Sequence, residues 1–161
     1  ADLGFGTRAT EFSYNDVGIL AAVKQLYISY SPFKNVKLTA GTWATHVGYE
    51  LVDPQLNRNY SMGYMFTNGP FTHTGVKAEY TKGKSGFMLG LSNPTDFRIV
   101  PSGQINKKFA IAQYSYTASD AVKLYFNYVG GKNIDTSIVN QFDLVATATV
   151  SRSFSIGFNG T

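Results

Sequence analysis

Cysteine is absent from the 161 residues, which excludes disulfide bonds but does not fix a compartment, since envelope and cytosolic proteins both manage without it. Charge is sparse: 15% of residues are Asp, Glu, Lys or Arg, and the net +4 is spread along the chain. A nucleic-acid footprint, which needs clustered basic residues, is not expected. No run of eighteen apolar residues occurs, so no transmembrane helix is present. Helical spacing of apolar residues is sustained nowhere, and no helix is expected. The opening Ala1-Asp2-Leu3 carries no leader pattern, but export removes a leader, so this start is neutral.

What the chain has in quantity is Gly, Phe and Tyr, with 16, 12 and 11 residues. With Thr and Ser these suit pleated strands and tight turns. Period-two alternation starts, stops and restarts along the sequence. Gln141–Val150 sets Phe142, Leu144, Ala146, Ala148 and Val150 against Gln141, Asp143, Val145, Thr147 and Thr149. Val122–Val129, Phe71–Tyr80, Phe87–Ser92 and Phe154–Asn159 behave alike. Collected, the segments predict nine strands at 1–11, 19–30, 36–46, 71–80, 86–92, 107–116, 122–129, 141–150 and 154–161.

Two of these resist a clean parity. In 19–30, Lys24 falls on the side of Leu26, Ile28 and Tyr30, which calls for a bulge or a lysine reaching to a rim. In 107–116, Phe109 and Ile111 share a side with Gln113 and Ser115, and the strand cannot be oriented from pattern alone.

Connections carry a second pattern. Short turns (31–35, 81–85, 117–121, 151–153) alternate with longer links (12–18, 47–70, 93–106, 130–140). Sorting of long loops to one end and tight turns to the other is the habit of an up-and-down membrane barrel, with the turns periplasmic. The expected fold is therefore all-β: an antiparallel up-and-down transmembrane β-barrel, one domain over 1–161. A soluble sandwich remains the competing reading, because alternation does not say whether the apolar face meets lipid or a second sheet. Tyr30, Tyr80, Tyr116, Tyr128 and Phe154 lie near strand ends, as in an interfacial girdle, although Tyr is also a good strand former.

Several ordered blocks carry a resemblance: Gly4–Arg8, Lys24–Tyr30, Ala40–Glu50, Asn57–Phe66, Gly69–Gly75 and Asn93–Asp96. Together they resemble the OmpL-like β-barrel porins of Gram-negative outer membranes. The resemblance implies an outer-membrane location and a pore for passive diffusion of small solutes, with membrane lipid, lipopolysaccharide, and small solutes or ions as partners. A homo-oligomer or an envelope protein complex is a further expectation; no cofactor and no nucleic acid is implied. Members of that family look longer. An odd strand count would also leave two unpaired edges, which hydrocarbon does not tolerate, so the chain is expected to be part of a larger barrel.

Alternation assigns pore-lining positions to Arg8, Lys37, Lys77, Glu79, Lys123 and Asp143, with Asp2 on the same side. Four cations against three anions give no sign for ion preference. The loop 47–70 is too apolar for a solvated loop, with Tyr49, Leu51, Leu56, Tyr60, Met62, Tyr64, Met65 and Phe66. It is expected to fold into the lumen with Arg58 on the aqueous path, to dock a partner outside, or to extend neighbouring strands. His46 and His73 flank this loop and are expected to approach each other. With Glu50 or Asp53 they would make a metal site, and with Ser61 a nucleophile. Ordinary hydrogen-bonding histidines are the simpler account, and neither a metal nor a catalytic residue is expected. Lys34, Lys82, Lys84 and Arg152 make the short turns basic, as solvated turns often are.

Overall fold

Period-two segments that cannot each bury a face alone must find neighbours, and here every segment finds the next one in sequence. The structure, a computed structural model, describes residues 1–7 and 13–161. Its strands are β1 (Asp2–Leu3), β2 (Val23–Phe33), β3 (Val36–Ala44), β4 (Thr72–Lys82), β5 (Ser85–Ser92), β6 (Phe109–Thr117), β7 (Val122–Lys132), β8 (Ile138–Ser151) and β9 (Phe154–Gly160). Among the described residues they form one nine-stranded sheet in the order β1 to β9, every pair antiparallel.

Four segments differ from expectation. The first strand shrinks to two paired residues, and 8–12 lie outside the described residues. The first four residues of the predicted 19–30 strand belong to a 3₁₀ turn at Gly18–Ala22. The expected link 130–140 shortens to 133–137, because Gly130 and Gly131 stay in the ladder, paired with Asn140 and Val139. Loop 45–71 carries one helical turn, α1 (Tyr64–Asn68), where no helix was expected.

The expected closed barrel is not what the described residues form: no ladder joins β9 to β1, and the sheet is open. An up-and-down sheet of odd strand number sends its first and last strands in the same direction. Closure would then need a parallel pair, and β1 offers only two residues to it.

Register assigns the faces. On the outer face, Ile28 lies opposite Ala40, Ala40 opposite Val76, Val76 opposite Leu91, and Leu91 opposite Ala110. Farther along, Tyr114, Phe126 and Leu144 form another such row. No second sheet covers them among the described residues, and Ile28 is 75% exposed. An apolar face this broad, left open, is foreign to a soluble sandwich and ordinary on a barrel wall. On the inner face Ile111, also an isoleucine in a strand, is 1% exposed.

The two parity conflicts resolve at the rim and in the interior. β6 turns Phe109, Ile111, Gln113 and Ser115 inward and Ala110, Ala112, Tyr114 and Tyr116 outward. At Lys24 the β1–β2 register shifts, Asp2 pairing with Gln25 and Leu3 with Val23, and at this loop end of β2 its ammonium meets Asp53 at 2.6 Å and Asp2 at 3.7 Å.

Gly41 and Gly75 pair on the inner face of β3 and β4. A Cβ on either would run into backbone of the next strand, Leu26 and Tyr27 for Gly41, Leu91 and Ser92 for Gly75. Only glycine permits strands to approach that closely on one side. Gly75→Ala is expected to lower stability by about 1–3 kcal/mol, read as a fall in the urea midpoint of the folded protein.

Candidate functional site

At Ala44 the chain leaves β3 and turns over the inner face. Thr45 N–H donates to Phe71 O at 2.9 Å, closing the base of a loop that runs from 45 to 71. The Thr45 hydroxyl lies 3.0 Å from His73 Nε2 and accepts the Val47 N–H at 3.1 Å. His46 Nε2 reaches Tyr128 O at 3.3 Å, and Gln113 Nε2 donates to His46 O at 3.4 Å. Val47 packs with Trp43, Met88, Phe109, Ile111 and Val129, and Met65 of α1 joins them. The loop therefore crosses from β3 to β7, laying apolar side chains where wall positions would otherwise be wet. That is why Phe109 and Ile111 point inward.

One carboxylate fixes the loop to the far wall. Asp143 is 4% exposed and accepts Gly48 N–H at 3.0 Å and Asn127 Nδ2 at 2.6 Å through Oδ2, while Oδ1 accepts Asn159 Nδ2. Gln113 Nε2 donates to Asn127 Oδ1 at 2.8 Å, so four side chains from β6 to β9 act as one network. Charge-assisted bonds of this kind are the stronger class, and a half-satisfied buried set is costly.

The remaining predicted lining residues separate into two groups. Lys37, Lys77 and Glu79 are neighbours on the inner face toward the short turns. Glu79 lies 3.4 Å from the Lys37 ammonium and 3.5 Å from that of Lys77. Lys77 also stands 5.2 Å from the centre of the Trp43 ring. Lys123 is exposed on the same face, at the turn end of β7. Arg58, exposed in the loop, brings Nη1 within 3.7 Å of where a Gly157 Cβ would stand, over the inner side of β9. Asp143 is covered by the loop rather than open to solvent, Asp2 is paired with Lys24, and Arg8 lies outside the described residues.

The two histidine rings do come together, with centroids 5.1 Å apart. The other members of the imagined sites are taken up elsewhere. Both carboxylate oxygens of Glu50 accept Gly63 N–H, and Asp53 holds Lys24. His73 Nε2 is bonded to Thr45, and Ser61 is exposed in the loop. Among the described residues no three His, Cys, Asp or Glu gather in a metal-binding arrangement.

Sequence reasoning missed the rim. Asp96, at φ 62°, turns its carboxylate onto the N–H groups of Phe71 and Thr72 at 2.9 and 2.7 Å, and accepts the Tyr14 hydroxyl at 3.1 Å. Burial pushes the Tyr14 phenol up to about 12, and the neighbouring Asp96 charge adds to the rise. Burial also raises Asp96, against the lowering by the two N–H groups. Next to it, Arg98 ion-pairs with Asp16 and donates to Val23 O. The Asn93-Pro94-Thr95-Asp96 block thus fastens three loop segments to one another. Its signal was present, an Asx-rich turn with proline, but nothing in the pattern said what the carboxylate would meet.

Residues 1–161 match the family described as "Putative beta-barrel porin-2, OmpL-like". No curated protein and no solved structure matches the chain.

Removing the Asp143 carboxylate would leave Gly48 N–H and two amide groups without their acceptor, at about 1–3 kcal/mol for each group that stays buried. Asp143→Ala is expected to free the loop from the wall. Limited proteolysis within 49–63 and faster exchange of the Gly48 amide hydrogen would report it; unchanged protection of both would refute the anchoring role.

Proposed function

Because the chain belongs to the OmpL-like family of β-barrel porins, we propose that it forms wall of an outer-membrane pore for passive diffusion of small solutes. In this reading the outer face meets membrane lipid and, toward the loops, lipopolysaccharide, and the inner face lines water. The observation that carries it is the pairing of two faces on one sheet: an exposed apolar face, and an inner face rich in Gly, Thr, Asn and Lys with loop 45–71 laid across it. Such a loop narrows the aqueous path at its own level and leaves the turn end wider.

The charge balance of that path favours anions. Lys37, Lys77, Lys123 and Arg58 face it against Glu79, while Asp143 and Asp2 are engaged with other groups. Rings of fixed charge set ion preference in pores. A second reading, a non-conducting barrel that binds an envelope protein, draws on Leu56, Tyr60 and Tyr64, which stand exposed on the loop.

Reconstitution of the protein in planar bilayers is expected to give discrete conductance steps with chloride preferred over potassium. Arg58→Ala and Lys77→Gln should each move the reversal potential toward the cation side. A folded protein that inserts and stays electrically silent would reject the pore and favour the scaffold. Conductance with reversal potentials unmoved by both substitutions would reject the assigned lining.

A further inference from the structure

The outer face is not uniformly filled. On β2 to β5, alanines interrupt two neighbouring rows of large side chains. One row runs Ile28, Ala40, Val76, Leu91; the next runs Tyr30, Leu38, Ala78, Leu89. The two alanines lie in adjacent strands and adjacent rows, and they leave an open depression of about 640 Å³ bounded by Tyr30, Leu38, Leu89 and Leu91. Its lining is almost wholly apolar, apart from peptide groups and the stems of inward-facing neighbours.

Below this depression, the charges in the turns and on the outer face of the same strands are all of one sign. Lys34 sits in the β2–β3 turn, Lys82 ends β4, and Lys84 sits in the β4–β5 turn. The two turns are held side by side, Thr81 N–H donating to Asn35 O at 3.0 Å. Lys84 is engaged with Ala118 O at 2.7 Å, while Lys34 and Lys82 are exposed. Lys82 shares the outward parity of Val76, Ala78 and Tyr80. Four residues separate it from Ala78, roughly 13 Å along a strand. A hydrocarbon half-layer is about 15 Å deep. With strands tilted by about 40°, the separation along the strand is about 10 Å of depth, so a lipid whose phosphate lies at Lys82 has the middle of its acyl chain at the depression.

We propose that this groove with its basic foot is a binding site for an anionic phospholipid of the leaflet on the turn side, one acyl chain in the depression and the phosphate between Lys34 and Lys82. The proposal rests on the membrane-spanning reading above. Charge decides between this occupant and a second copy of the chain. Two copies side by side in one membrane would bring Lys34 and Lys82 of each to the same depth at one interface, like facing like, whereas a phosphate neutralises them. Lipopolysaccharide belongs to the loop end, where Lys24 already holds Asp53 and Asp2.

The test folds the protein into vesicles of equimolar phosphatidylglycerol and phosphatidylcholine, extracts it in mild detergent, and measures the retained lipids by mass spectrometry. Phosphatidylglycerol is expected to be retained over phosphatidylcholine. The Lys34→Gln/Lys82→Gln variant should lower that ratio by about fivefold per lysine, the factor for about 1 kcal/mol each near a charged surface. Ala78→Phe, which fills the groove and leaves the lysines in place, should lower retention of both lipids. A ratio near one in the unaltered protein, or a ratio unmoved by the double variant, overturns the proposal. Unaltered retention in Ala78→Phe overturns it too, as does a dimer that this substitution converts to monomer. Protease protection in the vesicles separates the two levels. Unprotected protein refutes the membrane-spanning reading and this site with it, whereas protected protein without lipid preference refutes the site alone.

Discussion

Continuous backbone pairing from β2 to β9 is the constraint on which everything else here depends. Each strand between them spends its N–H and C=O groups on two neighbours, so side chains are free to be apolar on one face without leaving peptide groups bare. Residues that would be costly on a soluble surface, Val76, Leu89 and Phe126 among them, are tolerable on that face because no unbonded backbone lies beneath them. The same ladder sets the inner face residue by residue, since directly opposed residues share a side. Lys37, Glu79 and Met88 share a row for that reason, as do Gln113, Asn127 and Asp143. The ladder stops at β1 and β9, and the edge there is as much a property of this sheet as its faces.

Given that frame, the loop 45–71 explains why the inner face is not one environment. Where Val47 and Met65 press against Phe109, Ile111 and Val129, the interior is a small apolar core. Across the sheet, on β3 and β4, Lys37, Lys77 and Glu79 share charge, with Lys77 half-buried against Trp43. Toward β8 and β9 lies the Asp143 network, whose acceptor oxygens are used by Gly48 and by side chains of the neighbouring strands. The inner face thus changes across the sheet, from charged on β3 and β4 to loop-covered on β6 to β8.

At the loop end the rim is fastened rather than floppy. Asp96 gathers Tyr14, Phe71 and Thr72, and Arg98 gathers Asp16 and Val23. Both sit in the β5–β6 loop, so a single connection braces the entrance to β2 and the entrance to β4. Such bracing holds the base of loop 45–71 in place while its outer turn, with Tyr60 and Tyr64, remains exposed.

Alternation alone determined the strands from 36 onward to within a few residues, their sequential pairing, and the sorting of loops from turns, because period two and turn chemistry are local properties. It determined which face of β4, β7 and β8 is apolar for the same reason. It did not orient β6, since Phe109 and Ile111 belong to a core supplied by a loop some fifty residues away in sequence. It placed Asp143 on the inner side without revealing that Gly48 would cover it, and it paired the two histidines in space without revealing that Thr45 and Tyr128 would take their ring nitrogens. It assigned Gly130 and Gly131 to a link, although neighbouring strands hold them in the ladder. Whether a carboxylate faces water or an N–H group, and whether the sheet closes, depend on what distant segments bring to the same point. Only the tertiary structure decides that.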